Sequence, residues 1–290
     1  MQTYERIAVA GRVSGELLTP ARQSEWGLVV LGGSSGRVDV QRASLFADLG
    51  VTALALRWFG GADQTPGICE IPLETFVDGV DELQRHGCKR IAIIATSKGA
   101  EAALLTATLD ERIQAVFAIS PSSVVWGNIG PGFDGVSWPE RSSWTWRGMP
   151  LPFVPADPSW LKEYRQGLIA YRGLFMHCLQ QFSSSVPAAT IPVENIEAQV
   201  ILIAGGTDAL WPSDLFAHEI FNRRRAFGTD TELILDPDAG HRILLPGETT
   251  PRSSLHAHGG SDEADARLGL AAWAAIARTL GLPDREPTPT

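Results

Sequence analysis

The chain has 290 residues, 44% of them hydrophobic, and a formal net charge of -9 at pH 7. That is enough apolar material for one large core and leaves no electrostatic basis for holding nucleic acid or an anionic membrane surface. Cys69, Cys88 and Cys178 are too scattered for a disulfide framework or a CxxC zinc site, and Glu5, Arg6, Arg12 and Glu16 interrupt the apolar run that export or membrane spanning would need. The expectation is a soluble cytoplasmic protein with a small-molecule substrate, no metal or cofactor, and an oligomeric state that the sequence does not specify.

In chain order, residues 5–10 and 14–18 flank Gly11, Arg12 and Val13, a spacing suited to an antiparallel hairpin on a sheet edge. From Trp26 onward, short runs of Val, Ile, Leu and Ala alternate with longer amphipathic stretches, the rhythm of βαβ units and a mostly parallel sheet. Strands are predicted over 27–31, 51–56, 90–95, 115–120, 199–204 and 231–235, nearly all apolar as strands covered on both faces are. Crossover helices are predicted over 39–49, ending at Gly50, and over 73–85, where Phe76, Val80 and Leu83 share a face.

The rhythm breaks over residues 121–192, where Trp126, Trp138, Trp144, Trp146 and Trp160 sit among many Gly and Pro residues. So long an interruption predicts an insertion or cap over the C-terminal edge of the sheet, within one domain spanning 1–290. Its tryptophans suit either a hydrophobic wall for an acyl group or simple packing. Residues 283–290 read as a flexible tail.

The chemistry concentrates at 91–105, where the buried-type strand Ile-Ala-Ile-Ile-Ala-Thr runs into Ser97-Lys98-Gly99 and then an Ala-rich helix. A serine presented on a tight strand-to-helix turn needs small neighbours two residues away, and Ala95 and Gly99 supply them; Ala95 stands where glycine is usual. At a helix N-terminus the amide of Lys98 is an expected oxyanion donor. The competing reading makes Ser97 an ordinary N-cap. Gly32-Gly33-Ser34-Ser35-Gly36, after the first parallel strand, should supply the second donor from the Ser34 amide, with Ser35 as the neighbouring alternative and a candidate substrate contact.

A serine hydroxyl needs a base to take its proton and an acid to orient that base. Asp208 follows the strand at 199–204 and His241 follows the one at 231–235, so the chain order is Ser, Asp, His, each after a strand. That order predicts an α/β-hydrolase fold and acyl transfer through an acyl-enzyme. His86, His177 and His218 occupy less suitable positions, and His256 with His258 and Asp262 is a poor metal signal without a third well-spaced ligand.

The chain resembles the catalytic domain of the acyl-CoA thioesterase and bile acid-CoA:amino acid N-acyltransferase family. The matching stretches are 32–49, 53–60, 70–76, Ser97-Lys-Gly-Ala-Glu101, Ser120-Pro-Ser-Ser-Val124, Gly205-Gly-Thr-Asp-Ala-Leu-Trp211 and Ala239-Gly-His241. The resemblance implies an acyl thioester or ester substrate and a covalent acyl-enzyme, with serine at 97 tilting toward hydrolysis because cysteine accompanies transfer to amines. Two-domain members carry an N-terminal β-sandwich, which about 25 residues before the first parallel strand would not accommodate. Trp126 and Trp211 join Ser35 as candidate substrate contacts. An acyltransferase or cyclase passing the acyl group to an amine, alcohol or carbon nucleophile would use the same three residues, and a non-catalytic binding protein could keep the same scaffold.

Overall fold

The computed structural model describes residues 4–284; residues 1–3 and most of the expected tail, 285–290, lie outside the described residues. One eight-stranded sheet organises the chain. Its strands are β1 (Tyr4–Val9), β2 (Ser14–Pro20), β3 (Trp26–Leu31), β4 (Thr52–Arg57), β5 (Arg90–Thr96), β6 (Ile113–Ile119), β7 (Gln199–Gly205) and β8 (Thr231–Asp236), in the spatial order β1-β2-β4-β3-β5-β6-β7-β8. The edge hairpin pairs antiparallel in the expected place, β2 joins β4 antiparallel, and the remaining neighbours run parallel.

Period-two alternation divides the core into two layers. Val29, Leu54, Ile93, Val116 and Leu202 face α2 (Glu74–Arg85), α3 (Lys98–Ala107) and α6 (Ser213–Ala226), whose Phe76, Val80, Leu104 and Ile220 complete that layer. Leu28, Val30, Ala53, Ile94, Phe117 and Ile203 face α1 (Val40–Ala47) and α7 (Asp262–Leu280), which contribute Phe46, Leu268, Trp273 and Ile276. β3 is buried throughout, as its unbroken apolar run requires.

The segment at 121–192 contains the short strands Trp144–Trp146 and Met149–Pro150, the hairpin Glu163–Arg165 with Leu168–Ala170, and helices α4 (Arg172–Gln181) and α5 (Val186–Ala189). Its first half is not perched on the sheet edge. Trp144–Trp146 pairs with Ile71–Pro72, and the buried Trp144 ring packs 5.4 Å from Trp58 and 5.8 Å from Phe76, inside the α2–α3 layer. Trp138, by contrast, is exposed.

α7 starts on Ser261, whose side chain accepts from the Ala264 amide, and stops at Gly281 in the left-handed region. Within it, Gly269 lies against the chain at Leu244: a Cβ there would fall 1.6 Å from the Leu244 carbonyl oxygen. Gly→Ala in a helix interior ordinarily stabilises by about 0.4–1 kcal/mol. Here the sign should reverse, and Gly269→Ala should cost about 1–3 kcal/mol in urea unfolding because the backbone must separate.

Candidate active site

β5 delivers Ser97 onto a turn where its backbone adopts φ 58° and ψ -121°, a left-handed conformation that a non-glycine residue holds only when its surroundings impose it. Gly99 is part of that imposition. A Cβ on it would lie 2.4 Å from the Gly32 carbonyl oxygen, so the turn and the loop after β3 approach as closely as they do only with glycine here. Although Ser97 occupies the N-cap position of α3, its side chain makes no capping hydrogen bond. The ordinary-cap reading therefore leaves the hydroxyl unexplained.

Asp208 follows β7 and is wholly buried. Its Oδ1 accepts from the amides of Leu210 (2.9 Å) and Trp211 (3.2 Å), and its Oδ2 accepts from Ser213 Oγ at 2.6 Å and meets His241 Nδ1 at 2.7 Å. A carboxylate held on both oxygens cannot rotate away from the ring it faces. His241 follows β8, and its main chain is tied as well: its amide donates to His258 O (2.8 Å) and its carbonyl accepts from Ser120 Oγ (3.2 Å). With Nδ1 committed to Asp208, Nε2 is the ring nitrogen left to exchange a proton.

Ser97 and His241 line one open cleft of about 330 Å³, together with Gly33, Ser34, Ser35 and His256. The Ser97 hydroxyl is not hydrogen-bonded to the ring in this conformation, a contact that in enzymes of this chemistry often tightens only around substrate. Lys98 opens α3, and its amide belongs to the first turn at the positive end of that helix.

Trp126 and Trp211 do not line this cleft. Trp126 is buried against Phe175 and Phe216 and donates to Ser122 Oγ at 2.9 Å; Trp211 is buried in a T-shaped contact with His241, 6.1 Å between centroids, and donates to the Ser120 carbonyl at 3.1 Å. Both pack the walls behind the triad candidates rather than present a surface to a ligand. Of the other histidines, His86 pairs with Glu82, His177 with Asp157, and His218 with the Asp214 carbonyl, all away from the cleft. Among the described residues no group of three or more His, Cys, Asp or Glu is placed to hold a metal ion, and no helix is long and apolar enough to cross a membrane.

Several site features carried no sequence signal. The Lys98 side chain is fully buried and its ammonium bonds both Glu101 oxygens at 2.7 Å, while Glu101 also accepts from Trp144 Nε1 (2.7 Å) and the Trp126 amide (3.1 Å). Burial pushes the lysine below and the glutamate above their usual ranges, opposed by their mutual attraction. Removing one partner strands a buried charge. Lys98→Met should therefore cost about 3–5 kcal/mol in urea unfolding, and Lys98→Met/Glu101→Gln should recover part of that loss.

His258 also faces the cleft, its ring centroid 6.0 Å from that of His241 and its buried Nδ1 without a hydrogen-bond partner. Burial lowers its pKa to about 4, assisted by the neighbouring His241, Arg252 and Arg242 and opposed by Asp208. The unfolded chain, with an ordinary imidazole near 6.5, then takes up the proton first. The stability this residue contributes is complete above about pH 6.5 and drains away as pH falls toward 4. Melting temperatures of His258→Gln should accordingly decline less over that window than those of the unsubstituted protein.

The strand order, the helices on both faces, and a serine turn after β5 with Asp208 after β7 and His241 after β8 define an α/β-hydrolase. Solved structures of that fold superpose on it: a putative dienelactone hydrolase from Klebsiella pneumoniae covers 96% of this chain and 98% of its own at a TM-score of 0.54 and 13% identity, and the Pyrococcus horikoshii acylaminoacyl peptidase covers 100% of this chain and 44% of its own at 0.56 and 12%. Residues 71–280 match the family described as BAAT / Acyl-CoA thioester hydrolase C terminal, and the chain belongs to it. Among its relatives, human acyl-coenzyme A thioesterase 1 is 28% identical over 91% of this chain and 62% of its own length, and the rat acyl-coenzyme A amino acid N-acyltransferase 2 is 28% identical over 81% and 53%. The chain thus spans about three-fifths or less of these relatives.

Proposed function

We propose that the protein is a serine hydrolase that forms an acyl-enzyme from an acyl thioester or ester and releases it to water. The observation that carries this reading is the buried Asp208 oxygen 2.7 Å from His241 Nδ1, with the ring opening on the cleft that Ser97 also lines. His241 takes the Ser97 proton as the oxygen attacks the acyl carbon, Asp208 stabilises the imidazolium, and the Ser34 and Lys98 amides hold the oxyanion. The same imidazolium protonates the leaving thiolate or alkoxide. Water, deprotonated by His241, then attacks the ester and regenerates the serine.

Membership in a family that contains thioesterases and N-acyltransferases supports acyl transfer, and the similarity to an amino acid N-acyltransferase keeps an amine acceptor as the second reading. Serine at 97 favours water. A panel of acyl-CoA, acyl-pantetheine and p-nitrophenyl esters should show turnover that Ser97→Ala reduces by on the order of 10⁵-fold or more, with fluorophosphonate labelling lost and the circular dichroism unchanged. Labelling that persists in folded Ser97→Ala excludes this nucleophile, and acyl-amine product formed at the expense of free acid selects the second reading.

A further inference from the structure

Arg42 lies in the first turn of α1, three residues past the Asp39 cap, yet only 5% of it is exposed and it helps line the cleft. Nε and Nη2 bond the two oxygens of Glu248 at 2.6 and 2.9 Å, and Nη1 donates to Thr96 Oγ1 at 2.7 Å. Thr96 is the residue before Ser97. Glu248 lies seven residues beyond His241 and closes its own loop by accepting from the Leu245 amide at 2.9 Å. Beside this contact Gln41 bonds Thr249 Oγ1 at 2.8 Å, so α1 grips the same loop twice.

One planar cation therefore touches the strand end that presents the serine, the loop that continues from the histidine, and the helix that follows the oxyanion loop. A guanidinium offers its donors at fixed angles in one plane, which a lysine does not. The left-handed backbone at Ser97 needs surroundings that over-determine it. Proton transfer from Ser97 to His241 also depends on a separation set by two segments that are 144 residues apart in the chain.

We propose that Arg42 is a positioning residue that sets the spacing between the Ser97 turn and the His241 loop through Thr96 and Glu248. It acts on the chemical step without touching the reacting atoms, and it rests on the triad chemistry proposed above. A displacement of about 1 Å at a reacting group can cost on the order of a hundredfold in rate.

The test compares Arg42→Ala, Arg42→Lys, Thr96→Val and Ser97→Ala, using p-nitrophenyl butyrate hydrolysis and the rate of inactivation by a fluorophosphonate. For both Arg42 variants we expect kcat and inactivation rate to fall by on the order of ten- to a hundredfold, with KM within about twofold. Guanidinium ion at tens of millimolar should restore activity to Arg42→Ala and not to Arg42→Lys. Thr96→Val, nearly isosteric and cutting only one arm, should fall several-fold, and it decides the matter if the Arg42 variants do not fold. Folded Arg42 or Thr96 variants that react at the unsubstituted rate, or a lowered melting temperature with unchanged kcat, overturn the positioning role while an inactive Ser97→Ala leaves the triad intact. Turnover surviving in Ser97→Ala overturns the triad itself.

Discussion

The constraint on which the site depends is the left-handed backbone at Ser97. An L-residue in that region is unfavourable by about 1–2 kcal/mol on its own, so the conformation has to be enforced from outside the turn. β5 fixes the approach, with six parallel pairings to β3 and six to β6; α3 fixes the exit; and Gly99 against Gly32 allows the loop after β3 to lie close above. Lys98, bound inward to Glu101, and Thr96, bound to Arg42, hold the residues on either side. The serine is thus presented by its neighbours on all sides, and its own side chain is left without a structural duty.

Asp208 and His241 are built by the opposite strategy. Neither sits in strained backbone; Asp208 is held on both carboxylate oxygens, and His241 on Nδ1 and on its main-chain amide and carbonyl, with Nε2 left to the cleft. Trp211 links the two ends, since its amide binds Asp208 while its indole donates to Ser120, whose hydroxyl in turn holds the His241 carbonyl. Polar networks of this kind gain strength in a low-dielectric interior when every member is satisfied.

The sheet is legible because both-face burial writes itself as continuous apolar runs, and the candidates Ser97, Asp208 and His241 stand out because each follows one of those runs in the order that the fold demands. Boundaries moved by one or two residues: the run at 115–120 became Ile113–Ile119, and the helix at 39–49 became Val40–Ala47. Trp126 and Trp211 lie behind the cleft rather than along it, and an aromatic residue near a site announces mass without direction; which side of the wall it faces is settled by partners such as Phe216 and Ser120 that lie far away in the chain. Arg42 and the pair Lys98–Glu101 were invisible for a related reason. A lysine and a glutamate three residues apart on a helix look like a solvated surface pair, and only the packing of Trp144 over them turns the same spacing into a buried anchor.

That anchor limits how the covering segment can behave. Lifting the stretch around Trp126 and Trp144 would strip Glu101 of two donors and drag an indole out of the layer it shares with Trp58 and Phe76. The half that begins at the hairpin Glu163–Arg165 is tied to that frame as well: the Phe175 ring packs 4.7 Å from Trp126 and 5.6 Å from Trp211, Arg172 donates to Asp214 and to the Asp208 carbonyl, and Ile169 bridges His256. Trp126, whose amide binds Glu101 and whose ring meets Phe175, thus couples the two halves into one clamped wall.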